Sequence, residues 1–149
     1  MVVSLFDNFN YILERQLKPE ARKDIVKFFQ ESDILPTSMI DISDGLASEI
    51  FHLCKSSKTG CQVYEDKIPI DYTAMNLASE LNINPFVCAL SGGEDYELLF
   101  TIKQSDYDKL KKDADFTIIG HVTDKLENNN FIDNYTKQKV PDETIKLFF

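Results

Sequence analysis

The sequence predicts an α/β (α+β) layered sandwich, a mixed sheet covered by helices. Three observations point there. Segments with helical spacing of apolar residues alternate with short strand-like segments. The run Leu98-Leu99-Phe100-Thr101-Ile102 is long enough for a buried strand. The chain has 149 residues, 43% hydrophobic and 28% charged, enough for one domain with a core of its own.

Residues 1–18 are mixed and read as a lead-in, with the domain proper over 19–149. Pro19 opens a helix, with Glu20 early and Ile25, Phe28 and Phe29 inward. Asp33 to Thr37, with Pro36, is a break. A strand follows over 38–43, with Ile40 and Ile42 on one face and Asp41 and Ser43 on the other. Asp44 stands where the N-cap of the next helix is expected. That helix runs from Gly45 to about Lys58 on Leu46, Ile50, Leu53 and Cys54, and Gly60 fits its stop. Cys61 to Glu65 alternates as a short strand. Asp71 caps a helix to about Leu81, with Tyr72, Met75, Ala78 and Leu81 on its buried side. Asn82 to Pro85 is a loop, and Gly92-Gly93 a turn before the long apolar run. Ser105 to about Lys112 reads as a helix with Tyr107 and Leu110 inward, and Phe116 to Val122 as a strand. Asn128 to Asn130 is a turn towards a second short strand near 131–135, and Pro141 to Phe149 shows no period.

The net charge of −9 and pI near 4.6 argue against nucleic acid, since no surplus of Lys or Arg is there to neutralise phosphates. No apolar run approaches the ~20 residues of a membrane span, and the first residues lack the basic and apolar regions of a signal peptide. Cys54, Cys61 and Cys88 have no C-x-x-C spacing. They are expected to be small core residues of a protein in a reducing cytoplasm. His52 and His121 read as structural.

Two stretches concentrate chemistry. Asp41-Ile42-Ser43-Asp44-Gly45 places two carboxylates and a hydroxyl at a strand-to-helix turn. Carboxylates that close repel unless a proton or cation lies between them, which suits a hard metal such as Mg²⁺ with phosphate. The plainer alternative is a helix cap and a solvated strand-edge acid. Ser91-Gly92-Gly93-Glu94-Asp95-Tyr96-Glu97 places three acids at the mouth of a buried strand. Such acids are costly there unless solvated, paired or used by a ligand. The glycines allow positive φ or a close approach to a ligand, and a solvated hairpin turn is the competing reading. An EF-hand is excluded, because positions six and twelve from Asp41 are Leu46 and His52. P-loop and dinucleotide glycine patterns are absent. Paired acid clusters at strand ends fit metal-assisted phosphoryl transfer. Neither cluster contains an arginine or lysine, so metal ions do the work or part of the site lies elsewhere.

In order and spacing, Ser38-Met39-Ile40-Asp41-Ile42-Ser43-Asp44-Gly45-Leu46 and Leu90-Ser91-Gly92-Gly93-Glu94-Asp95-Tyr96-Glu97-Leu98-Leu99-Phe100 resemble the C-terminal half of thiamine-monophosphate kinase. Leu17-Lys18-Pro19-Glu20-Ala21-Arg22 and Ile68-Pro69-Ile70 add to the likeness, which runs from about Ile12 to Val122. The resemblance implies an AIR synthetase C-terminal domain-like fold. It also implies transfer of the ATP γ-phosphoryl group to thiamine monophosphate, giving thiamine diphosphate. By position, Asp41 and Asp44 are the implied Mg²⁺ ligands, Ser43 the implied ATP contact and Glu94 the implied substrate contact. Members have an N-terminal half that supplies further metal-binding acids and much of the nucleotide site. Residues 1–18 are then the linker from that half, the isolated chain is expected to be inactive, and a homodimer is allowed for the full-length enzyme. Members end in a Gly-aromatic-x-His-Phe-like segment. Here the end is Lys146-Leu147-Phe148-Phe149, leaving Phe148 or Phe149 as the candidate aromatic that stacks on substrate. Another ATP-using enzyme of the superfamily, or a non-catalytic domain that binds metal or a partner, are the alternatives.

Overall fold

A computed structural model describes residues 2–110, 116–124, 130–132 and 146–148, with side chains over 10–110 and 116–124. In chain order the elements are α1 (Val2–Leu17), α2 (Lys23–Glu31), β1 (Ser38–Asp41), α3 (Leu46–Ser57), β2 (Gly60–Tyr64), α4 (Tyr72–Glu80), α5 (Pro85–Ser91), β3 (Leu98–Lys103), α6 (Tyr107–Leu110), β4 (Gly120–Thr123), β5 (Asn130–Ile132) and β6 (Lys146–Phe148). Single 3₁₀ turns follow β2 and β3. The strands form one sheet in the order β1-β3-β6-β4-β2-β5, antiparallel throughout except for β2 with β5. The mixed sheet covered by helices is therefore the architecture the sequence predicts.

The apolar run becomes β3, and its unbroken hydrophobicity has a simple cause: both of its faces are covered. Leu99 faces a core built with Ile50, Leu53 and Cys54 of α3 and Val63 of β2. Phe100 and Ile102 face the opposite core, with Ile25 and Phe29 of α2, Ile34 and Leu110. There the Phe29 and Phe100 rings meet edge to face at 4.8 Å. Each fully buried side chain of this size contributes about 1.5–3 kcal/mol, so the two cores fix β3 and, through it, the chain entering and leaving it.

Several elements differ from expectation. Within residues 1–18, for which the sequence predicted no element, α1 covers Val2–Leu17, which contains no glycine or proline. α2 starts at Lys23, because Arg22 is drawn into ion pairs instead of a helical turn. The helix after β1 is capped by Gly45, not Asp44, and stops on left-handed Lys58, so Gly60 instead begins β2. Asp71 caps α4 by accepting from the Thr73 N–H at 2.7 Å, as expected. Of the four predicted inward residues of α4 only Ala78 is buried; Tyr72, Met75 and Leu81 are exposed. The 82–85 loop leads directly into α5, where Asn84 accepts from the Phe86 N–H and Pro85 takes the first helical position. Cys54 and Cys61 are buried as predicted, but Cys88 is exposed on α5. β6 runs between β3 and β4, a strand of three residues too short to show a period. Phe148 lies in it, while Phe149 and most of the 128–135 and 141–149 expectations lie outside the described residues. Among the described residues no helix is long and apolar enough to cross a membrane.

His121 on β4 is buried, with its Nδ1 3.2 Å from the Tyr64 hydroxyl. Burial holds its pKa below the ordinary 6.5. The unfolded chain therefore binds a proton that the folded chain resists, and stability is lost as pH falls from about 6.5 towards the folded value. Urea unfolding between pH 7.5 and 5.5 should show this loss, and His121→Gln should flatten it. An identical pH slope in both proteins contradicts the assignment.

Candidate active site

The two acidic stretches, about fifty residues apart in sequence, meet at one end of the sheet. In the β1–β3 ladder Asp41 stands opposite Leu98. Past that pair the ladder loses its regular register but not its bonds. The Ile42 N–H donates to the Glu97 carbonyl at 2.9 Å, the Tyr96 N–H to the Ile42 carbonyl at 2.8 Å, and the Glu94 N–H to the Ser43 carbonyl at 2.8 Å. β1 is two residues shorter than predicted for this reason: Ile42 and Ser43 pair with a loop.

The loop adopts this path through its glycines, though not by positive φ. A Cβ on Gly93 would lie 2.2 Å from the Ser43 carbonyl oxygen, and one on Gly92 would lie 2.4 Å from the Cys88 carbonyl oxygen. Their lack of a side chain serves close approach of chain to chain. Positive φ falls instead on Glu94 (67°) and Tyr96 (54°), two residues that rarely adopt it. Gly45, at the α3 N-terminus, combines φ 106° with a Cβ position 2.8 Å from the Leu90 carbonyl oxygen. That contact ties α5 to the same corner.

These backbones bring four polar side chains into one neighbourhood. The Tyr96 hydroxyl donates to Glu94 Oε2 at 2.8 Å. That bond, then the Glu94 charge and the more distant charges of Asp41 and Asp44, push the phenol pKa up. Asp41, Asp44 and Glu94 are all exposed, so each carboxylate is open to a ligand. Behind them sits Glu49, 2% exposed, whose Oε1 accepts from the Asp44 N–H at 3.1 Å and lies 3.5 Å from the Ser43 hydroxyl. Glu49 is in the first turn of α3, where the helix dipole favours a negative charge.

Glu97 faces away from this group and anchors the loop. Its Oε1 accepts from Arg15 of α1 at 2.7 Å and its Oε2 from Arg22, which also pairs with Asp24 at 2.9 Å. The Glu97 carboxylate raises the pKa of Arg15 through that hydrogen bond. Burial and the neighbouring Glu97 charge together raise the Asp95 carboxyl above its ordinary value. A cavity of about 660 Å³ opens beside the loop, lined by Leu77 and Ala78 of α4 together with Glu94, Asp95 and Arg15.

The structure thus brings Asp41, Ser43, Asp44 and Glu94 together, as their spacing along the chain could not show. Asp44 is freed from the capping role, which Gly45 takes. Glu49 and Arg15 are neighbours of the site that the motifs leave out, and Arg22, which ends the Leu17–Arg22 segment, was given no role. Glu49 had a signal, since 46, 49, 50 and 53 share one helical stripe and an acid on a buried stripe needs a polar partner. The pairing of the arginines with Glu97 had none, because only the fold brings them to it. Among the described residues no group of three or more His, Cys, Asp or Glu side chains converges to hold a metal ion alone. Two exposed carboxylates fit Mg²⁺ of the kind that takes its other ligands from phosphate and water.

Comparison with known proteins gives a consistent result. Residues 10–129 match the family described as AIR synthase related protein, C-terminal domain. The chain is 37% identical over 134 residues to the thiamine-monophosphate kinase of Buchnera aphidicola subsp. Schizaphis graminum, covering 86% of this chain and 40% of that protein. It is similar in structure to AaThiL complexed with AMPPCP and TMP, at 30% identity and a TM-score of 0.70, over 91% of this chain and 40% of that one. It is also similar to the thiamine-monophosphate kinase of Stenotrophomonas maltophilia K279a, at 26% identity and a TM-score of 0.71, over 86% and 40% of the two chains. The chain therefore spans about 40% of the length of these relatives.

The contact between Gly93 and Ser43 makes the joining of the two stretches testable. Gly93→Ala puts a methyl group into a backbone carbonyl that cannot swing away, and should cost about 1–3 kcal/mol in urea unfolding. An unchanged midpoint contradicts the close approach of the two stretches.

Proposed function

The chain belongs to the family of AIR synthase related proteins, as a C-terminal domain, and from that premise we propose that it is the C-terminal part of a thiamine-monophosphate kinase. The reaction is transfer of the ATP γ-phosphoryl group to thiamine monophosphate, giving thiamine diphosphate, in the cytoplasm. One observation supports this reading above the rest: backbone hydrogen bonds from Ile42 to Glu97, Tyr96 to Ile42 and Glu94 to Ser43 bring the Asp41–Asp44 stretch to the stretch that carries Glu94, a residue lining the cavity.

In this reading Asp41 and Asp44 hold Mg²⁺, Ser43 contacts ATP and Glu94 contacts the thiamine moiety. Bound Mg²⁺ neutralises the phosphates and orients them. The chain's own residues supply the rest. Glu49 fixes the Ser43–Asp44 turn through the Asp44 N–H, and the α3 N-terminus favours a phosphate beside it. Glu94 offers a carboxylate to an aminopyrimidine donor or a cationic thiazolium. No covalent nucleophile is invoked, because positioning and charge neutralisation account for most of the catalysis of phosphoryl transfer. Both arginines near the site are committed to carboxylates, so neither is free to take a phosphate.

The test is thiamine diphosphate formation from Mg-ATP and thiamine monophosphate, by the chain alone and by the chain joined to the N-terminal half of a complete relative. Turnover is expected only in the joined form. Asp44→Asn should then abolish nearly all of it while leaving urea unfolding within about 0.5 kcal/mol, as for an exposed side chain outside the core. A folded but inactive joined protein contradicts the substrate assignment and shifts the choice to another substrate of the family or a non-catalytic domain. Turnover by the chain alone contradicts its incompleteness.

A further inference from the structure

Tyr96 stands in an unexpected place. Its hydroxyl donates to Glu94 Oε2 at 2.8 Å, and its ring is carried by a backbone at φ 54°, two residues after Glu94 at φ 67°. Left-handed backbone costs a residue with a side chain on the order of 1 kcal/mol, and two such residues with one between them need support. That support is visible. The N–H groups of Glu94 and Tyr96 are each bonded to the exit of β1, at the Ser43 and Ile42 carbonyls. Glu97, next in the chain, is held by Arg15 and Arg22. The consequence of this arrangement is a single one: the side chains of residues 94 and 96 meet and bond.

We propose that Tyr96 is a positioning residue for Glu94, and that the Tyr96–Glu94 bond selects for ligands presenting an amino group or cationic heteroaromatic ring. This rests on the reading of Glu94 as the substrate contact. A free glutamate side chain must be ordered when it binds, which costs about 0.5–1.5 kcal/mol. With Oε2 engaged by the phenol, the carboxylate is restrained and Oε1 remains available as an acceptor. A site built around a fixed acceptor favours a ligand that donates to it and rejects an analogue that does not. Tyr96 acts through Glu94 and does not itself touch the ligand, so its removal affects the thiamine moiety and not the nucleotide.

The experiment is a double-mutant cycle in the joined, active protein, with thiamine monophosphate affinity measured calorimetrically and KM measured for both substrates. Tyr96→Phe is expected to weaken thiamine monophosphate binding about 3- to 10-fold, the scale of one hydrogen bond, with KM for ATP within about twofold. In a Glu94→Ala background the same substitution should have no further effect. Glu94→Asp, which draws the carboxylate back from the phenol and leaves Tyr96 intact, should reproduce the selective loss and guards against misfolding of the Phe variant. Equal losses for both substrates, or losses that simply add in the double variant, overturn the positioning role. A Glu94→Ala protein with unchanged thiamine monophosphate affinity overturns the substrate-contact reading itself, a result distinct from failure of the cycle.

Discussion

Three backbone hydrogen bonds, from Ile42 to Glu97, Tyr96 to Ile42 and Glu94 to Ser43, hold two acidic stretches together that would otherwise repel. Without them Asp41 and Asp44 sit at the end of one strand and Glu94 lies on an independent turn. The bonds form where they do because β1 and β3 are paired antiparallel, so that the exit of one strand lies beside the entry of the other. The pairing is secured by β3, buried on both faces between the α3 core and the α2 core. Hydrophobic burial in the sheet thus provides the free energy that holds polar groups in a costly arrangement at its edge.

The electrostatics of that edge follow from the same geometry. The acids on the ligand side are exposed and mutually repulsive, while the acid on the inner side, Glu49, is satisfied by a backbone donor. Glu97 is neutralised by two arginines from α1 and α2, which closes the loop from behind without adding free positive charge to its front. In a chain of net charge −9, phosphate placed beside these exposed acids needs a cation between them. That requirement fits Mg-ATP better than a free phosphate ester. The chain spans about 40% of the length of such relatives.

How much of this was legible depended on whether the cause was local. The β3 run, the α3 stripe and the Asp71 cap were legible because each expresses a period or a single bond within a few residues. α5 was equally local, and Asn84-Pro85 announces it once cap and first-turn proline are weighed together. The candidate residues Asp41, Ser43, Asp44 and Glu94 were legible as chemistry but not as one place, since no pattern within either stretch encodes the backbone bonds between them. The role of the Gly92-Gly93 pair was misassigned for the same reason: its tight neighbours, the Cys88 and Ser43 carbonyls, are visible only when the chain is folded. The pairing of Arg15 and Arg22 with Glu97 was not legible, the two being 82 and 75 residues from the glutamate they hold.

The meeting of the two stretches in one ligand-facing site is the claim on which everything else stands, and it can be read on the chain itself. Paramagnetic Mn²⁺, titrated in small amounts against the isotope-labelled protein, broadens the amide signals nearest to wherever it binds, even weakly. If the account is right, the amides of 41–44 and 94–96 broaden together at the same low Mn²⁺ concentration, and Asp44→Asn relieves both sets. Broadening confined to 41–44, or spread evenly over the acids of the surface, would show that the two stretches do not form one site.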